Sequence, residues 1–298
     1  MRNGPVILDP SDAIRYSVVI PTYNRSELLH KTIASVLAAS VERRDVEIVV
    51  VDDGSTDESA ALVASVQSDI EVLYLRQPDR GFRAARARNL GMSVARGRTV
   101  LLLDCGVAVR ANFFAVLDEH DSRNADVVVF PVAGFSNNDA DDDDLTAAIA
   151  AVKDRDAASA LAQGDRFRDI REPVFSLCAD NLSALPAPWA IAWTCCLVVP
   201  RHGRLRDVWF DERFVGWGGE DLDFALQLEK AGAVFGLERR TGGLHLPHSK
   251  SEAANSKSSR GNKSYLHQKH DRADTELLQT VSAVDLNDQL LRRAGSQR

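Results

Sequence analysis

The chain has 298 residues, 45% hydrophobic and 27% charged, with a net charge of −7. This is the composition of a globular chain with room for one large domain or two small ones, and its acidic balance excludes general nucleic-acid affinity. No apolar run approaches the ~20 residues that cross a bilayer, and residues 1–16 lack an apolar signal core, so neither a membrane span nor export is predicted.

Residues 17–21 are a β-branched run and predict a strand, which ends in Pro21-Thr22-Tyr23-Asn24-Arg25. Asn24 and Glu27 have capping-box spacing, and Leu29, Ile33, Val36 and Leu37 then recur at helical spacing. A second strand at 47–51 runs into Asp52-Asp53-Gly54-Ser55. Ser55 and Glu58 repeat the capping-box spacing before a helix lined by Leu62, Val63 and Val66. A third strand is predicted at 72–76. A helix follows at 81–95, with Phe82, Ala85, Leu90 and Val94 inward. Residues 99–103 are apolar throughout, as a central parallel strand should be.

Strands alternating with helices predict an α/β fold with a doubly wound, mostly parallel sheet. Such sheets bind ligands at the carboxyl ends of their strands. The polar clusters 22–25 and 52–55, together with Asp104, lie at those ends.

The second half is less regular. A strand is predicted at 126–131. The acidic stretch 137–144 reads as a solvated charge run rather than a metal site, and 145–162 as an Ala-rich surface helix. A strand at 193–200 is assigned to a second sheet region, and 234–237 to a further strand. Residues 249–263, rich in Ser, Lys and Asn, are predicted to be mobile, and 275–293 to form one terminal helix. The cysteines, Cys105, Cys178, Cys195 and Cys196, form no Cys-x-x-Cys pair. They predict reduced thiols in a cytoplasmic protein rather than a zinc site.

The most specific stretch is Gly216-Trp217-Gly218-Gly219-Glu220-Asp221, which opens an amphipathic run. Glycines let a backbone turn sharply and approach a ligand. A carboxylate in a first helical turn suits the positive end of the dipole and can serve as general base on an alcohol. The simpler reading is an N-capped helix after a glycine loop.

Four segments together resemble family 2 glycosyltransferases of the GT-A type. These are residues 18–25, 48–57, 81–91 and 216–221, the last with Phe210-Asp211-Glu212 upstream. The last segment is similar to the acceptor motif of chondroitin-polymerase-like and N-acetylgalactosaminyltransferase-like members. The resemblance covers roughly residues 16–245 and implies a Rossmann-like sheet with an acceptor-side subregion and a C-terminal helix. It divides the chain into an extension (1–15), a catalytic domain (16–248; nucleotide half 16–131, acceptor half 132–248) and a basic segment with terminal helix (249–298).

The resemblance implies an inverting transferase that moves a sugar from a UDP- or dTDP-sugar to an acceptor hydroxyl. Asp221 would be the base, and Glu220 would bind sugar hydroxyls. Trp217, Gly218 and Gly219 would line the acceptor. Asp53 would accept the imide hydrogen of the base. Pro21, Thr22, Tyr23, Arg25, Arg88, Asn89 and Asp104 would surround the nucleotide and diphosphate. The sequence departs from the family at Asp104-Cys105-Gly106, where Asp-x-Asp is usual. Gly106 has no side-chain ligand, so a Mn²⁺ or Mg²⁺ ion would rest on Asp104 with His245 or His248. Alternatively, Arg and Lys would neutralise the leaving diphosphate without metal. Residues 262–270 resemble an element that closes on the donor in related enzymes.

The acceptor is left open among glycan, lipid-linked sugar and small molecule. Attachment to a membrane surface and homo-oligomerisation are also left open. Two other readings compete: a catalytically weak sugar-nucleotide binding protein, and a nucleotidyltransferase. The second normally has a glycine-rich loop after its first strand, and residues 21–25 contain no glycine.

Overall fold

The structure, a computed structural model, describes residues 14–120, 125–134, 145–147, 167–248 and 252–296. Its strands are β1 (Tyr16–Thr22), β2 (Val46–Asp52), β3 (Glu71–Arg76), β4 (Thr99–Leu103), β5 (Val107–Val109), β6 (Val127–Val129), β7 (Val132–Ala133), β8 (Cys196–Pro200), β9 (Phe235–Leu237) and β10 (Gly243–His245). The helices are α1 (Ser26–Ala39), α2 (Ser59–Ser65), α3 (Ala84–Val94), α4 (Phe113–Glu119), α5 (Glu172–Leu177), α6 (Glu220–Lys230), α7 (Glu252–His270), α8 (Ala273–Leu278) and α9 (Ala283–Gly295).

Seven strands form the main sheet in the order β3-β2-β1-β4-β8-β6-β9, and β5-β10-β7 form a small second sheet. Successive strand residues point to opposite faces, and both faces are covered. Val19, Val49, Val51 and Leu102 belong to one apolar core, and Val18, Ile20, Ile48, Val50 and Leu101 to the other. That two-sided burial explains the nearly unbroken apolar runs in the sequence. β1 pairs in parallel with β2 on one side and β4 on the other. The strand order therefore reverses between β1 and β4, the crevice where open α/β sheets take ligands.

Several sequence expectations are corrected. Residues 196–200 do not start a second sheet. β8 lies within the main sheet, antiparallel to both β4 and β6, where Leu197, Val198 and Val199 are buried. Neither expected capping box forms. Asn24 takes a left-handed φ of 48°, and its Oδ1 accepts from the Thr56 amide at 2.8 Å. The Ser55 hydroxyl accepts from the Asn24 amide at 2.8 Å. These side chains tie the β1 and β2 end loops together instead of starting helices.

α3 begins at Ala84, because the Arg83 amide is held by Asp53 at 2.7 Å. Phe82 and Val94 consequently face outward, not inward. The expected terminal helix is two helices, and the second starts where the Ser282 hydroxyl caps the Asp285 amide. The segment expected to be mobile is helical from Glu252 to His270. Ser258 and Asn262 find partners in the loop of residues 215–218, which composition alone does not reveal. The acidic stretch 137–144 and all but 145–147 of the Ala-rich helix lie outside the described residues. Among the described residues no helix is long and apolar enough to cross a membrane.

Candidate functional site

The end of β2 supplies Asp53, which is buried. Its Oδ1 accepts from Gln77 Nε2 at 2.6 Å and its Oδ2 from the Arg83 amide at 2.7 Å. Burial pushes its carboxyl upward, while these two donors oppose the shift. Each carboxylate oxygen keeps a further lone pair for a donor. Gln77 had no role in the sequence reading. It is buried beside Asp53, and its Oε1 has no hydrogen-bond partner. A single polar residue after a strand gives no sequence signal for such a place.

Pro21 and Thr22 end β1, opposite Val51 and Asp52. The Thr22 hydroxyl points to Cys105 Sγ at 3.5 Å. Tyr23 is exposed and donates to Asp79 at 3.0 Å. Arg25 is exposed just before α1. Thr22, Tyr23, Arg25 and Asp53 thus lie at or just after the ends of the adjacent strands β1 and β2.

Arg88 and Asn89 differ from the sequence reading. Arg88 is buried, and its guanidinium is committed to two carboxylates rather than open to a phosphate. Nη2 reaches Asp104 at 2.8 Å and Nη1 reaches Glu220 at 3.0 Å. The guanidinium also lies over the Phe210 ring, 5.5 Å from its centroid. Asn89 faces the segment of residues 210–212. Its Nδ2 donates to the Phe210 carbonyl at 2.9 Å and to Glu212 at 3.1 Å, and its Oδ1 accepts from the Phe210 amide. A buried charge needs partners to offset its desolvation, and here they come from the end of β4 and the first turn of α6.

Glu220 and Asp221 occupy the first turn of α6. The loop before it turns through Gly216, Gly218 and Gly219 at φ values of 81°, 84° and 96°, conformations natural only to glycine. Glu220 Oε2 is buried without a partner. Asp221 Oδ1 accepts from the Leu222 amide at 2.8 Å. Burial, and after it the Glu220 charge, raise the Asp221 carboxyl while Arg88 pulls it down, and together they bring it to about 7. A carboxyl poised there exchanges protons readily near neutrality. Trp217, Val215 and Phe82 are exposed, and the Gly216 amide donates to the Phe82 carbonyl at 3.2 Å. They form an apolar rim beside the acids.

Asp223 and Asp211 brace this turn; Asp211 belongs to the upstream segment singled out in the sequence, whereas Asp223 had no role assigned to it. Asp223 is fully buried and takes Lys269 Nζ at 2.8 Å and His270 Nε2 at 2.7 Å. Lys269 also reaches Asp211 at 2.9 Å.

The donors expected to hold a cation are Asp104, His245 and His248. Asp104 pairs with Arg88. A Cβ on Gly106 would lie 3.9 Å from His248 Nδ1, so His248 faces that gap. His245 is buried on β10, its ring 5.0 Å from that of His248. Among the described residues no group of three or more His, Cys, Asp or Glu could hold a metal ion. This donor set does not fit a preassembled Mn²⁺ or Mg²⁺ site.

Comparison with known proteins gives consistent matches. Residues 17–172 match the model of glycosyl transferase family 2. The chain is 33% identical over 241 residues to a validoxylamine A glucosyltransferase of Streptomyces hygroscopicus subsp. jinggangensis, covering 80% of this chain and 57% of the relative. It is 30% identical over 234 residues to a chondroitin synthase of Pasteurella multocida, covering 74% of this chain and 24% of the relative. The chain thus spans little more than half of the first relative and about a quarter of the second. Among solved structures, the mannosyltransferase PcManGT of Pyrobaculum calidifontis, in complex with GDP-Man and Mn²⁺, superposes with a TM-score of 0.58 at 16% identity, covering 98% of this chain and 79% of that one. S. aureus TarS 1–349 with UDP-GlcNAc gives a TM-score of 0.54 at 16% identity, covering 84% and 66%. These neighbours are GT-A glycosyltransferases, and the fold is of that type.

Proposed function

The chain belongs to glycosyl transferase family 2, and on that premise we propose that it is an inverting transferase using a UDP- or dTDP-sugar. The observation that carries this reading is the place of the Asp221 carboxyl, in the first turn of α6 directly after the glycine loop of residues 216–219. It adjoins Glu220, which Arg88 links to Asp104 at the end of the nucleotide half.

Asp53 accepts the imide N–H of the base, with Gln77 setting its orientation. The sugar extends from the β4 end toward α6. The acceptor hydroxyl oxygen attacks the anomeric carbon, and its proton passes to Asp221. The bond from that carbon to the diphosphate oxygen breaks, and the diphosphate departs with the electron pair. One displacement inverts the anomeric centre without a covalent intermediate. Glu220 Oε2, buried with an unused lone pair, accepts from a sugar hydroxyl. Trp217 stacks on the acceptor ring.

Support for the donor class comes from the TarS complex with UDP-GlcNAc. Support for a hydroxylated ring as acceptor comes from relatives named as a validoxylamine A glucosyltransferase and a chondroitin synthase. The test is a screen of nucleoside-diphosphate sugars against hydroxylated acceptors, read by nucleoside-diphosphate release and by the anomeric configuration of the product. Release with inversion is expected. Retention of configuration would overturn the mechanism, and tight donor binding without release would favour a binding protein.

A further inference from the structure

α7 is rich in Ser, Lys, Asn and His. Tyr265 and Leu266 pack against the core, while its earlier turns lie against the loop of residues 215–219. That loop has three glycines at positive φ, so its own backbone has little preference among shapes. Its polar backbone groups are instead held from α7. The Trp217 amide donates to Ser258 Oγ at 2.9 Å, and Ser258 Oγ reaches the Trp217 carbonyl at 2.9 Å. Asn262 Nδ2 donates to the Gly218 carbonyl at 2.6 Å and the Val215 carbonyl at 3.3 Å.

Helix and loop are matched in shape. A Cβ on Gly216 would fall 2.8 Å from Ser258 Cβ, and one on Gly219 3.0 Å from Asn262 Cβ. The glycines therefore serve the approach of α7 as well as the turn. Ser258 and Asn262 bond to loop backbone, and the Trp217 side chain remains exposed.

We propose that Ser258 and Asn262 are positioning residues for the acceptor: they splint the 215–219 loop from α7 and so fix the Trp217 ring against a hydroxylated ring with an exposed C–H face. This rests on the reading of that loop as the acceptor side. Preorganising a loop removes an ordering cost from binding, so loss of the splint weakens acceptor binding and leaves the nucleotide end untouched.

The test compares Ser258→Ala, Asn262→Ala and Ser258→Thr, which keeps the hydroxyl, with the unmodified chain. Exchange of the Trp217 amide needs no substrate. It should accelerate about tenfold in Ser258→Ala, the effect of one lost hydrogen bond, and return in Ser258→Thr. UDP affinity by calorimetry should not change. With a donor and acceptor that the unmodified chain turns over, both alanine variants should raise acceptor KM about tenfold while keeping the rate at saturating acceptor. Unchanged exchange, or unchanged acceptor KM, would overturn the proposal. Parallel loss of UDP affinity would also overturn it, making α7 a general brace. If the unmodified chain releases no nucleoside diphosphate with any donor, the glycosyl-transfer reading fails separately, and the acceptor role falls with it.

Discussion

Arg88 and Glu220 lie 132 positions apart in sequence and meet at 3.0 Å. The same guanidinium holds Asp104 at 2.8 Å, so one buried cation joins the end of β4 to the head of α6.

Arg88→Gln should destabilise the protein by about 3–5 kcal/mol, because it leaves buried carboxylate charge without its partner. Urea denaturation measures this directly. A loss below ~1 kcal/mol, the range of exposed pairs, would mean that the bridge is peripheral.

Asp221 should shape stability as a function of pH. Its carboxyl is raised from 3.8 to about 7 in the fold. The folded state therefore holds the proton more firmly than the unfolded chain, and stability falls as pH rises from about 4 to about 7. Asp221→Asn removes that dependence and should raise the melting temperature more at pH 8 than at pH 4. An equal shift at both values would contradict the raised carboxyl.

Asp53→Ala should weaken UDP binding by about 1–3 kcal/mol, the cost of an unpaired buried polar group. Calorimetry with UDP and ADP distinguishes base recognition from general phosphate affinity. UDP should suffer more than ADP. Unaltered UDP affinity would move the base elsewhere.

Chelation should be tolerated. Asp104 is engaged by Arg88 and Gly106 offers no ligand, so a cation would find few protein donors. Turnover with EDTA should fall but persist, unlike sites where the metal supplies several kcal/mol of charge stabilisation. Complete loss with EDTA, restored by Mn²⁺, would contradict this.

The parallel strands β1, β2 and β4 were legible in sequence because their signals are local. The apolar runs of β1, β2 and β4 and the polar residues at their ends sit on consecutive positions. The helix starts were misread, since Asn24 and Ser55 bond across two loops rather than along one chain. β8 was misplaced because strand order depends on a partner about a hundred residues away, as with Leu102 beside Leu197. The acid pair was legible from Gly218-Gly219-Glu220-Asp221. Its supports were not. Gln77 and Asp223 are single polar residues whose importance arises only from burial against distant neighbours. The sequence reading placed Arg88 at the donor phosphate or sugar, but its double pairing required Glu220 and Asp104 in space.

The central claim, that Asp221 takes the acceptor proton, is tested most directly by Asp221→Asn with donor binding and turnover measured on the same preparation. UDP affinity should match the unmodified chain, while turnover falls ~10²–10⁴-fold, the usual contribution of a general base. In the unmodified chain the rate should rise with pH through about 7, where Asp221 ionises, and the variant should lose that limb. Equal turnover in the variant, or an unchanged pH limb, would contradict the assignment and direct attention to Glu220.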